Sequence, residues 1–140
     1  MNQYFFSIKS YDDILKAVGN IIKTSQEWEK DFKTLAEYLH VNMPKEKLNK
    51  ASLNKLNKKL DAENKIEKSK YLLFERIIDL RNYINHEFFL VSEEKQIEEI
   101  EKELNDIQFL IFEVTDVVNN IKDNITGKTI QRPTVFDRFI

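Results

Sequence analysis

Nine apolar residues lie three and four positions apart in the last third of this chain: Ile97, Ile100, Leu104, Ile107, Ile111, Val114, Val118, Ile121 and Ile125. Only an α-helix gathers such positions on one face, and only packing against other elements buries that face. Ser92 is placed to cap the start of this helix, with Glu93 and Glu94 in its first turn, where the helix dipole favours acids. Gly127 is a natural terminator. At about 1.5 Å per residue the helix spans about 50 Å. With only two glycines and two prolines among 140 residues, little else in the chain interrupts helix.

The same periodicity divides the rest. Ser10 caps a first helix with Asp12 and Asp13 in its opening turn and a seam of Ile14, Val18, Ile21, Ser25, Trp28, Phe32, Leu35 and Leu39. Gly19 and Ser25 mark where it would bend. Pro44 ends it near Asn42 and Met43 and opens a second, shorter helix with Leu48, Leu56 and Leu60 as its apolar contacts. The segment 44–65 is weakly amphipathic, so part of it reads equally as loop. A third helix runs from about Lys65 to Val91 with an apolar stripe of Leu73, Ile77, Leu80, Ile84 and Phe88. Opposite lies a polar stripe of Glu75, Asp79, Asn82 and His86, with Arg81 and Asn85 on the flank between. These elements predict an all-α fold, an antiparallel four-helix bundle over about 10–126 in a single domain of 1–140. The nine N-terminal residues are expected to pack across one end. The tail 127–140, with Val135, Phe136, Phe139 and Ile140, has no helical period and docks on the bundle or on a partner.

Composition removes several classes of function. Without cysteine there is no disulfide, thiolate metal site or cysteine nucleophile. There is no glycine-rich phosphate loop. The two histidines, His40 and His86, are not spaced to share a metal; the one Glu-x-x-His pair, Glu37 and His40, lacks the second pair that a di-iron bundle needs. No metal and no cofactor is therefore expected. The N-terminus does not have the form of a signal peptide, and no apolar run approaches the roughly 20 residues that span a membrane. The expectation is a soluble cytoplasmic protein without membrane contact. Its Lys, Ile and Asn content suggests an AT-rich bacterial source.

The net charge of −2 conceals an uneven distribution. Residues 44–70 carry nine lysines against four acids, and residues 92–125 carry ten acids against three lysines. Lys55, Lys58 and Lys59 in the basic segment are candidates for holding a polyanion. The plainer reading is two solvated helix faces.

Chemistry concentrates in Leu80-Arg81-Asn82-Tyr83-Ile84-Asn85-His86. Histidine exchanges protons near neutral pH, and the planar guanidinium of arginine fits phosphate oxygens. Together they suit cleavage of an RNA phosphodiester: His86 moves the proton, Arg81 holds the phosphate, and Asn82 orients the imidazole or the phosphate. Five residues of ideal helix set Arg81 and His86 about 140° apart. Either the helix distorts near His86, or two copies of the chain share the site. Against this stands the ordinary alternative of surface residues, with Arg81 paired to an acid on its own helix or on the fourth.

An arginine followed by a polar residue and, four to six residues on, by a histidine resembles the signature of HEPN domains. Arg81, Asn82 and His86 take those positions, late in the third helix of a bundle of about the right size. The resemblance implies a homodimer with the two motifs facing each other. It also implies metal-independent endoribonuclease activity in a toxin or abortive-infection role, with an antitoxin protein as a further partner. Other members of the family bind nucleotide, RNA or protein without catalysis. In one toxin group a tyrosine two residues after the histidine is modified by a partner enzyme; Phe88 stands there, so this chain departs from that group's pattern.

Overall fold

The computed structural model describes residues 5–127. Six helices are found among them: α1 (Tyr11–Tyr38), α2 (Lys45–Lys50), α3 (Leu53–Ala62), α4 (Lys68–His86), α5 (Phe88–Ser92) and α6 (Ile97–Thr126). The described residues contain no strand. The fold is all-α, as the periodicity demands, but six helices replace the expected four. No helix among the described residues is long and apolar enough to cross a membrane. Beyond Gly127 the tail, with the docking expected of it, lies outside the described residues.

α1 begins where expected. Ser10 Oγ accepts from Asp13 N at 3.3 Å, and Asp12 and Asp13 occupy the first turn. The helix runs through Gly19 and Ser25 without a break. It stops at Tyr38, six residues before Pro44 and short of the expected end near Asn42 and Met43. Leu39 caps it, and His40 turns into the left-handed region at φ 56°.

The lysine-rich stretch is helical throughout most of its length, as two short pieces. Ser52 Oγ accepts Lys55 N at 3.2 Å and starts α3 in a new direction. α2 therefore descends alongside α1, with Lys33 Nζ on Asn49 O at 2.8 Å, and α3 climbs back, with Glu63 reaching Asn42 N at 2.9 Å. This hairpin changes the topology. α4 runs antiparallel to α1, which sets Tyr11 beside Phe89 and Phe32 beside Phe74. α6 then runs parallel to α1: Ile8 meets Glu101, Asn20 meets Gln108, and Asp31 meets Lys122. An up-down-up-down bundle would have made the first and last helices antiparallel.

The α1–α6 seam is the most extensive helix–helix contact among the described residues. Ile14, Val18 and Ile21 of α1 and Leu104, Ile111, Val114 and Val118 of α6 are all buried. Gln108 lies fully buried within it. Asn20 Nδ2 donates to its Oε1 at 2.8 Å, and its Nε2 donates to Thr24 Oγ1 at 2.9 Å. Thr24 passes its own hydroxyl proton to a carbonyl of the preceding turn, at Asn20 or Ile21. The amide is thus satisfied at both ends. Residues 5–8 lie along α6 rather than across the end of the bundle. Asn105 Oδ1 accepts Phe5 N and Phe6 N, its Nδ2 donates to Phe6 O, and Ile8 N donates to Glu101 Oε2.

Further along, Trp28 stacks on Phe32 at 5.0 Å, and Phe74 of α4 stands edge-on to Phe32 at 5.1 Å. All three rings are fully buried. They join α1 to α4 where α3 covers them with Leu53, Leu56 and Leu60.

The third expected helix divides at Glu87, whose φ of −122° and ψ of −27° leave helical geometry. The apolar spacing continues through Phe88, so periodicity alone runs over the break. Ser92 ends α5 instead of starting the next helix; its Oγ donates to Phe89 O at 3.2 Å. α6 starts after Gln96 with no side-chain cap, and Glu98 and Glu99 take the dipole role expected of Glu93 and Glu94. It ends as expected at Gly127, whose φ of 68° suits glycine.

Two predictions follow from this packing. Replacing Gln108 by Ala opens a cavity in the buried seam and takes the donor from the buried Thr24 hydroxyl oxygen, and should cost about 2 kcal/mol or more by denaturant titration; a loss under about 0.5 kcal/mol would mean the seam does not depend on it. The Glu63 carboxylate is held below its ordinary value, first by the hydrogen bond from Asn42 N and then by Lys59. A lowered carboxylate stabilises the fold above its unfolded-state value and loses that contribution as pH falls through its folded-state value. Stability should therefore decline from about pH 4.5 downward, and less steeply in Glu63→Gln; equal slopes in the two proteins would contradict this.

Candidate functional site

Arg81 lies three residues after Ile78 and four after Ile77, both buried. Those steps aim it inward, since the buried face of α4 runs through Phe74, Ile77, Ile78 and Ile84. The stripe expected from Leu73 and Leu80 is rotated towards that face: both leucines are only partly buried. Arg81 is accordingly not a flank residue. Its side chain is 24% exposed and meets α1, where Nη2 lies 2.5 Å from Glu29 Oε1. The acid comes from the first helix, neither from α4 itself nor from the fourth expected helix. Glu29 also faces Lys33 at 3.3 Å. Arg81 Nε is buried and makes no hydrogen bond among the described residues.

A groove of about 300 Å³ opens over this pair. Its walls are Glu29 of α1, Ile78, Arg81 and Asn82 of α4, and the turn into α3 from Ala51 to Asn54. The first turn of α3 contains no acid. Its Ser52 hydroxyl is committed to Lys55 N. The groove thus combines a guanidinium, two side-chain amides and the positive end of a helix with one carboxylate. Such a set can hold an anionic oxygen if the anion competes with Glu29 for the arginine.

Of the three residues singled out in the motif, Arg81 and Asn82 share the groove and His86 does not line it. His86 is the last residue of α4 and is exposed. Of the three lysines, Lys55 and Lys58 are exposed on the outer side of α3, whereas Lys59 is half-buried against Glu63 at 3.3 Å. His40 and Glu37 sit at the far end of α1, and Glu37 faces Lys45 at 3.7 Å. Among the described residues no three His, Asp or Glu side chains cluster as metal ligands would.

The end of α4 is held by a group that sequence reasoning missed. Tyr83 hydroxyl donates to Glu103 Oε1 at 2.6 Å, and Lys95 Nζ reaches both Glu103 Oε2 and the Tyr83 hydroxyl. Burial, and then the Glu103 carboxylate, push the Tyr83 hydroxyl above its ordinary value, so it stays protonated and donating. Its hydrogen bond to Glu103 raises Lys95 too. The Tyr83 carbonyl accepts Glu87 N at 2.9 Å, the bond that closes α4 directly after His86. Beside this clamp α4 and α6 enclose a second, larger groove of about 760 Å³ with a floor of Leu80, Ile107, Phe109 and Leu110. Glu29, Ser52, Asn54 and the clamp carried no sequence signal beyond their type. The inward spacing of Arg81 from Ile77 and Ile78 was the one sign that it needed a buried partner.

No protein-family model matches this chain, and no curated protein and no solved structure shows significant similarity to it.

The half-buried pair yields a prediction. A double-mutant cycle with Glu29→Gln and Arg81→Gln should give a coupling of about 1 kcal/mol or more, because each single change strands a partly desolvated charge. Additive effects would mean the pair is a screened surface contact.

Proposed function

We propose that this chain is a HEPN-like, metal-independent endoribonuclease that works as a homodimer in a toxin or phage-defence role. The observation that carries the reading is the inward placement of Arg81 over a groove it shares with Asn82, five residues before an exposed His86 at the end of the same helix. In the HEPN-like bundle α1, α4 and α6 are three members, and the α2–α3 hairpin takes the place of the fourth.

In the reaction, a ribose 2′-hydroxyl attacks the adjacent phosphorus and the 5′-oxygen leaves. His86 removes the proton from the attacking oxygen or returns one to the leaving oxygen. Arg81 holds a non-bridging phosphate oxygen as its charge rises, and Asn82 orients it. The products are a 2′,3′-cyclic phosphate and a 5′-hydroxyl. Within one chain His86 lies outside the arginine's groove, so His86 acts beside Arg81 of a second copy, with the polar faces of the two α4 helices opposed. Lys55 and Lys58 supply the attraction for RNA that the net-acidic chain otherwise lacks, with Lys59 in a lesser part because Glu63 engages it. This activity belongs in the cytoplasm of a bacterial cell, where an antitoxin protein restrains it.

The second reading is a catalytically inactive HEPN-like module that binds nucleotide, RNA or a protein partner. The Glu29 carboxylate already on Arg81 favours it, since a bound anion has to displace that carboxylate.

Incubation of labelled RNA with the folded protein in EDTA separates the two. The ribonuclease reading predicts cleavage with 2′,3′-cyclic phosphate ends and a loss of at least about a hundredfold in both His86→Ala and Arg81→Ala. Cleavage undiminished in either variant would remove the catalytic assignment, and retention of RNA without cleavage would establish the binding module.

A further inference from the structure

α5 is too short to bury itself, and it does not. Phe88 alone points inward, fixed edge-on against Tyr83 at 6.2 Å. The next three residues, Phe89, Leu90 and Val91, are all exposed, Leu90 by 75%. The Tyr11 ring lies 6.5 Å from that of Phe89 and extends the apolar surface onto the first turn of α1, where Leu15 follows one turn later on the same face. Ile97, just past the turn that closes α5, is exposed as well. Single exposed apolar residues need no explanation, but a run of three joined to a second helix marks a contact surface.

The charge around this surface has one dominant sign. Glu87, Glu93 and Glu94 flank α5, Glu98 follows Ile97, and Asp12 follows Tyr11; all five are exposed. Lys9 and Lys16 on the α1 side are the opposing exposed charges. Lys95, within the turn, is engaged by Glu103. Anionic lipid is repelled by such a rim. Two copies meeting patch to patch would bring the acids together.

We propose that α5 and the first turn of α1 form a docking face for a basic amphipathic helix of a partner protein. The partner's apolar stripe covers Leu90, Val91 and Tyr11, and its lysines or arginines meet the glutamates of the rim. Phe88 and the Tyr83 clamp hold the face ready without the partner. This inference does not depend on the ribonuclease reading.

The test uses the full chain and a labelled, amidated model helix of leucine and lysine, about 18 residues or five turns long. A leucine–glutamate helix of the same spacing serves as control. Anisotropy at about 0.1 M ionic strength should show binding of the basic helix and not of the acidic one. Leu90→Ser should weaken it about tenfold, as expected for one lost buried leucine contact, while Leu72→Ser, at an exposed leucine near the start of α4, should leave it unchanged. The proposal is overturned if Leu90→Ser binds as well as the parent or if the acidic helix binds equally. Leu90-dependent self-association in sedimentation, or Leu90-dependent binding to phosphatidylserine vesicles, would assign the face to a second copy or to a membrane instead.

Discussion

The hydrogen-bonded bracket of Gln108 between Asn20 and Thr24 fixes how the two longest helices lie on each other. An apolar seam with steps of three and four tolerates sliding by a turn. A buried amide with both ends engaged does not, because any slide strands it in a medium without water. The bracket sets the register of the parallel pair α1 and α6, and Asn105 of α6 pins residues 5–6 beside them. With that pair in place the remaining apolar side of α1, around Trp28 and Phe32, is left for α4 and the α2–α3 hairpin.

Arg81 is the consequence of that arrangement at the opposite side of α1. α4 presents its Phe74–Ile78 face to α1, and the next inward position carries a guanidinium instead of an apolar side chain. A partly buried cation requires a counter-charge, and Glu29, directly after Trp28, supplies it. The reversal at Ser52 brings the start of α3 to the same place. A charged residue thus stands where a leucine would pack more simply, in a groove open to solvent.

Periodicity made the long helices and much of the core legible: Trp28, Phe32, Leu104, Ile111 and Val114 could be read from spacing alone. It failed where structure depends on one local bond or on contacts far apart in sequence. Ser52 and Ser92 are the same residue type before similar helical segments, yet one caps a helix and the other ends one. The difference lies in the turn that Phe88 anchors through its burial. The parallel course of α1 and α6 follows from the α2–α3 reversal at the Ser52 cap, which the spacing of Leu48, Leu56 and Leu60 along one expected helix does not announce. At the site, the residue types of Arg81, Asn82 and His86 were legible, and the angle of about 140° between Arg81 and His86 already indicated that they would not converge on one helix. Glu29 was not, because nothing in its spacing distinguishes it from other acids on a solvated face.

The central claim is that Arg81 of one chain works with His86 of another. Mixing the Arg81→Ala and His86→Ala proteins, after exchange of subunits, tests it most directly. In a mixed dimer one composite site has lost both residues and the other retains both. With random exchange half of the dimers are mixed, so the account predicts recovery to about a quarter of the parent's RNA cleavage from two inactive proteins. A mixture shown to contain the mixed dimer that remains inactive, beside an active parent, would contradict it.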